Sequence, residues 1–280
     1  MNASPDKKTA KLLTPSILLF LISQNLSIFG SSVVGYAIIW YVTLETSSGT
    51  WMMGVALATM VPPLLISLYS GVWADRYSRK LLIMLSDGFI AAATLALFIL
   101  FRMGYRHLEL LLAVSVIRSL GSGVQSPAVN AIFPQLVPKE HLTRIQGINQ
   151  SVRSVLFLLS PAVGGLVLSL MNISWAFLLD VISAGLAIIV FAFIKVEKIK
   201  HTDASYSVRK EMAEGLSYTF NNPILKRLII YYAFAFFLVT PAAILTPLLV
   251  ERSFGSEIWK LTANEIAWTA GSLLGGLFIA

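Results

Sequence analysis

The sequence predicts an all-α integral membrane protein, and three observations carry that prediction. Hydrophobic residues make up 56% of the 280 positions and charged ones only 12%, where a soluble domain carries about 25% charged residues. The apolar residues gather in long unbroken runs, each near the roughly twenty residues a helix needs to cross a bilayer. These runs lack the roughly ten-residue alternating segments of a membrane barrel, and lipid admits only helices or closed barrels as spanning structures.

The expected spans are 15–42, 51–72, 80–101, 108–133, 147–171, 174–194, 225–250 and 262–280. Lys7, Lys8 and Lys11 precede the first run as in a signal peptide. Its apolar core is too long for one, and no small-residue cleavage site follows, so a retained helix is expected. With alternating spans, one side of the membrane carries 15 basic residues: Lys7, Lys8, Lys11, Arg76, Arg79, Lys80, Lys139, Arg144, Lys195, Lys198, Lys200, Arg209, Lys210, Lys226 and Arg227. The other side carries four: Arg102, Arg106, Arg252 and Lys260. Basic loops stay in the cytoplasm, so the N-terminus is expected there, with the protein multi-pass in the cell's inner (plasma) membrane. Topology thus accounts for the net charge of +7, and no nucleic-acid partner is expected.

Three parts are expected: a six-helix bundle over 1–194, a cytoplasmic loop over 195–224, and a second bundle beginning at 225–280. In the loop, Val208, Met212, Leu216 and Phe220 recur every four residues, one stripe of an amphipathic helix on the membrane face, ended by Asn221, Asn222 and Pro223. The last run, "AGSLLGGLFIA", has no polar flank after it. The expectation is therefore a C-terminally truncated chain, holding only the first two helices of its second bundle.

Several chemistries find no support. There is no cysteine, hence no disulfide or thiolate site. His107, His141 and His201 have no second ligand three or four residues further along the chain, so no metal is expected. No Gly-x-x-x-x-Gly-Lys phosphate loop and no catalytic His, Ser or Cys arrangement occurs. Neither an enzyme nor a cofactor is expected, and no obligate protein partner.

The informative polar residues interrupt the apolar runs. "GVWADRYSRK" (71–80) sets Asp75 among Arg76, Arg79 and Lys80 after the second span. The cations fix the loop inside, but they do not explain the acid. Gly71 would allow close approach of another helix, and Asp75 could face a helix N-terminus or an arginine. The fifth span contains "SPAVGG", where Pro161 should bend the helix and Gly164 and Gly165 should admit a close neighbour. Arg118 stands inside the fourth span, Asp87 in the third and Asp180 in the sixth. Ionisable groups at such depth face a cavity or a partner. Either acid could bind and release a proton, or pair with Arg118, Arg153 or backbone amides; Arg118 could relay protons or contact substrate, or else snorkel to a surface or pair for packing. Gln24, Asn25 and Ser27 in the first span, with Gln125 and Asn130 in the fourth, could line a substrate cavity or bond between helices.

Six helices, a basic loop and further helices resemble the plan of the major facilitator superfamily. "GVWADRYSRK" resembles that family's G-x-L-A-D-R-x-G-R-K signature between helices 2 and 3. Gly71, Ala74, Asp75, Arg76, Arg79 and Lys80 match, while Trp73 and Ser78 replace Leu and Gly; the serine implies a less constrained turn. "SPAVGG" is similar to the antiporter signature G-P-x-x-G-G, with Ser160 in place of the first Gly. Arg118 lies in a loose match to R-x-x-Q-G-x-G, with Gly121 at the Gln position. The run from Ser126 to Gly165, "FLLDVISAGLA" and "EMAEGLSYTFNNPILKRL" look like the macrolide-efflux branch and its siderophore-exporter relatives.

The resemblance implies the major facilitator fold and proton-coupled efflux of drugs such as macrolides, or other amphipathic small molecules, by alternating access. It implies that the 71–80 cluster latches the two bundles on the cytoplasmic face, and that the helix-5 pattern goes with export. The implied partners are a small-molecule substrate, protons and the bilayer. Siderophore export by a full-length protein, or a truncated fragment that cannot cycle, are the alternatives.

Overall fold

The computed structural model describes residues 14–196 and 217–279. Eight long helices make up nearly all of them: α1 (Pro15–Thr46), α2 (Gly49–Arg76), α3 (Arg79–Arg102), α4 (Leu108–Leu136), α5 (Leu142–Leu170), α6 (Ile173–Ala192), α7 (Pro223–Phe254) and α8 (Ile258–Ile279). A single 3₁₀ turn, Lys139–His141, leads into α5. Seven of the helices, α1 to α7, contain segments long and apolar enough to cross a membrane.

Several helices outrun the apolar segments that announce them. Hydropathy marks the stretch matched to lipid, whereas the hydrogen-bonded spiral continues into the polar margin until a cap stops it. Thus α1 runs on through Glu45 to Thr46, and α5 begins at Leu142, before its apolar run. Thr14 caps α1, its Oγ1 accepting from Ile17 N (3.3 Å), with Pro15 at the first helical position. Asn222 caps α7 by accepting from Ile224 N and Leu225 N. Most of the expected amphipathic helix lies outside the described residues; its final residues, 217–221, are helical.

The helices alternate in direction, as the packing shows. One apolar core joins the start of α1 (Ile17, Phe20) to the end of α2 (Ala74), the start of α3 (Ile83), the end of α4 (Ile132, Phe133), the start of α5 (Ile145) and the end of α6 (Phe191). A second core joins the opposite ends: Val34 and Ile38 of α1, Val55 of α2, Leu97 and Phe101 of α3, Leu111 of α4 and Phe177 of α6. By chain position, the buried polar residues of α1, α3, α4 and α6, except Thr43 and Ser174, fall between these two apolar plugs. The fold therefore carries a polar belt at mid-height.

Within the bundle α2 packs on α4, α1 on α6 and α5, and α3 on α4 and α6. The α1–α6 approach is close enough that a Cβ on Gly30 would stand 3.0 Å from the Asp180 Cα. Beyond the bundle, α8 packs on α5, and the last turns of α7 meet the α1–α2 turn. There Ser47 adopts a left-handed conformation (φ 45°), donates through Oγ to Glu251 Oε1 (2.7 Å) and accepts at its carbonyl from Arg252 (2.5 Å).

Candidate functional site

The polar belt contains two carboxylates with different surroundings. Asp180 on α6 is fully buried and pairs with Arg118 Nη1 from α4. Ser31 Oγ of α1 donates to its Oδ1 (3.1 Å), and Thr94 Oγ1 of α3 donates to its Oδ2 (3.0 Å) while accepting from Arg118. Four helices thus converge on one acid. Removing two charges from water is repaid only when both are paired and hydrogen-bonded, and this cluster meets that condition.

Asp87 on α3 is 2% exposed and has no cation beside it among the described residues. Its Oδ1 accepts from Ser27 Oγ of α1 (2.6 Å) and Gln125 Nε2 of α4 (2.7 Å). Both donors are neutral.

A cavity of about 310 Å³ adjoins this belt. Its wall includes Ser27, Ser31, Arg118, Ser119, Ser122 and Gln125. Four of these, Ser27, Ser31, Arg118 and Gln125, also hold the two buried carboxylates. The cavity therefore presents hydrogen-bond donors at its surface, with the acids one layer behind.

The other expected cavity residues lie elsewhere. Asn25 is buried between α1 and α5, where its Nδ2 donates to Asn149 Oδ1 (2.9 Å). Gln24 is buried, its Nε2 has no partner among the described residues, and it does not line the cavity. Asn130 is exposed further along α4 and does not line it either. On α1 the polar positions fall on more than one face, so three near-consecutive residues cannot share one wall. Sequence reasoning missed Ser31, Thr94, Ser119 and Ser122. The signal was helical spacing: Ser27 and Ser31 stand four apart, and Ser115, Ser119 and Ser122 follow one stripe of α4 beside Arg118.

The 71–80 cluster sits at the end of the bundle holding the first apolar core. Arg79 Nε donates to the Ala74 carbonyl (2.9 Å), Nη1 to the Ala131 carbonyl of α4 (2.6 Å), and Nη2 to Asp75 (3.3 Å). Lys80 Nζ donates to the carbonyls of Ala192 and Ile194 where α6 ends (both 2.7 Å). Cations here meet the negative ends of helix dipoles, so these two residues tie α2, α4 and α6 to the start of α3. Arg76 is the last residue of α2. The Asp75 side chain is 76% exposed. Ser78 sits at φ −59° and caps α3 through its hydroxyl, a role glycine could not fill. Gly71 corrects an expectation: a Cβ there would meet nothing within 4 Å, because it lies on a face of α2 against which no described element packs.

On α5, Ser160 and Pro161 are buried, and Gly164 and Gly165 meet two different neighbours. A Cβ at Gly164 would touch the Val33 carbonyl (3.5 Å) and Tyr36 Cβ (3.6 Å) of α1. One at Gly165 would collide with Thr262 Oγ1 on α8.

Antiparallel spans around a mid-height polar belt, with small-residue contacts to further helices, define a polytopic helical membrane protein with a ligand-sized polar cavity. The chain belongs to the Major Facilitator Superfamily, whose family model matches residues 20–280. It is 31% identical over 258 residues to macrolide efflux protein A of Streptococcus pyogenes, covering 91% of this chain and 64% of that protein. The protein of the same name in Enterococcus faecalis is 30% identical over 230 residues, covering 81% and 71%. The multidrug efflux pump Tap of Mycobacterium bovis (strain BCG / Pasteur 1173P2) is 26% identical over 219 residues, covering 75% and 52%. The crystal structure of a bacterial homologue of the human lysosomal transporter Spinster, inward-facing and unoccupied, shares the fold with a TM-score of 0.65 at 17% identity. That match covers 91% of this chain and 58% of the other. The chain thus spans about two-thirds or less of the length of most of these relatives.

Proposed function

We propose that this chain is part of a secondary transporter that exports amphipathic small molecules, macrolides among them, in exchange for protons. The observation that carries the reading is the placement of Asp87. A carboxylate buried at mid-membrane without a counter-cation among the described residues is costly when charged, so gaining and losing a proton is its natural chemistry. Its two donors, Ser27 and Gln125, form part of the cavity wall. A ligand that bonds to either weakens the stabilisation of the carboxylate, and protonation in turn weakens the hold of Asp87 on both donors. Asp180 is held by Arg118 and serves as the fixed charge of the belt.

Alternating access would rock the α1–α6 bundle against the helices that follow, with Gly164 and Gly165 allowing α5 to bear on α1 and α8. Arg79 and Lys80 brace the inner end of the first bundle, leaving Asp75 to meet the other bundle in one of the two states. The basic end would face the cytoplasm of the inner membrane. The division at 194 and 225 is proposed as the boundary between the bundles. Cells expressing the protein should accumulate less macrolide than controls, and an uncoupler should abolish the difference. Equal accumulation over a broad panel of amphipathic drugs would overturn the proposal.

A further inference from the structure

We infer that Arg153 on α5 is an anion-binding site, one that takes a carboxylate or phosphate group inside the membrane-spanning region. Arg153 is the twelfth residue of a 29-residue helix, about 16 Å along it at 1.5 Å per residue. None of the ion pairs among the described residues includes it. Its Nε is shut off from solvent and has no acceptor among the described residues. The bundle's two buried acids are committed elsewhere, Asp180 to Arg118 and Asp87 to Ser27 and Gln125.

Arg153 is partly buried, with its Nε enclosed, and an arginine remains charged at any accessible pH, so losing its proton does not relieve the unpaired charge. A guanidinium at this depth marks a functional site by default. Its planar fork fits an oxyanion through two parallel hydrogen bonds. Its position fits such a role. Asn149, one turn earlier on the same face, bonds to Asn25 of α1, and Gly164, three turns later, touches α1. Arg153 therefore stands along the α1-facing stripe of α5, in the half that carries the first apolar core. This site is separate from the donor-lined cavity, whose wall does not include Arg153. It does not depend on proton coupling.

Binding to the whole chain in lipid nanodiscs tests the site without any transport assay. In phosphatidylcholine discs, Arg153→Gln should weaken dodecanoate binding about tenfold, the scale of a lost charged hydrogen bond, and leave binding of 1-dodecanol unchanged. Arg153→Lys, which keeps the charge but not the fork, should lose severalfold and serves if the neutral variant does not fold. Discs containing phosphatidylglycerol identify the source of the anion. Competition with dodecanoate in the wild type but not in the variant assigns a lipid phosphate, and no competition assigns a soluble carboxylate. Equal dodecanoate binding by wild type, Arg153→Gln and Arg153→Lys would overturn the site.

Discussion

Arg118 of α4 and Asp180 of α6 form an ion pair inside the membrane-spanning bundle, with Asp180 wholly buried. Breaking such a pair from one side strands a charge, which costs about 3–5 kcal/mol in soluble proteins. Asp180→Asn should therefore lower the yield of folded protein and its melting temperature sharply. The double variant Arg118→Met, Asp180→Leu should recover much of that stability. Thermal unfolding in detergent checks both, and a single variant as stable as wild type would refute the structural role.

Substitutions at Asp75 and Lys80 should separate stability from the proposed function within one motif. Asp75 is exposed and its bond to Arg79 lies at the surface, a kind of pair worth about 0–1 kcal/mol. Asp75→Asn should leave the melting temperature unchanged while impairing export. Lys80→Met loses the bonds to Ala192 and Ile194 and should destabilise by about 1 kcal/mol. Melting curves and drug accumulation, measured on the same two variants, decide this.

Gly165 tests the seam between α5 and α8. A Cβ there would collide with Thr262 Oγ1, and overpacking of this kind costs about 1–3 kcal/mol. Gly165→Ala should destabilise, and adding Thr262→Ala should restore most of the loss. Failure of the second substitution to rescue the first, in the same melting assay, would place α8 elsewhere.

Orientation can be read by thiol labelling, because the chain has no cysteine of its own. Cysteine introduced at Ser78 should react with a membrane-impermeant maleimide only after permeabilisation. Cysteine at Gly104, in the next connection, should react in intact cells. The reverse pattern would invert the topology.

The fold was legible because lipid leaves few choices: long apolar runs must be helices, and the α1–α7 spans appear where those runs lie. The signature at 71–80 was legible as a motif, but the work of its cations was not. Nothing in "RK" says that Lys80 reaches the end of α6, more than a hundred residues away. Asp87, Arg118 and Asp180 stood out because charge is conspicuous in an apolar run. Their partners Ser27, Ser31 and Thr94 were harder to see or went unseen, since serine and threonine are common in membrane helices and only packing selects those that face an acid. Gly71 misled because a small residue permits close packing without requiring it.

The central claim is that Asp87 carries the proton exchanged for substrate. Purified protein in proteoliposomes, given an imposed pH gradient, should concentrate a labelled macrolide. Asp87→Asn, which keeps the shape and can still bond to Ser27 and Gln125, should fold normally yet lose gradient-driven accumulation at least tenfold. Undiminished accumulation by Asp87→Asn, or accumulation that ignores the gradient in the wild type, would contradict the account.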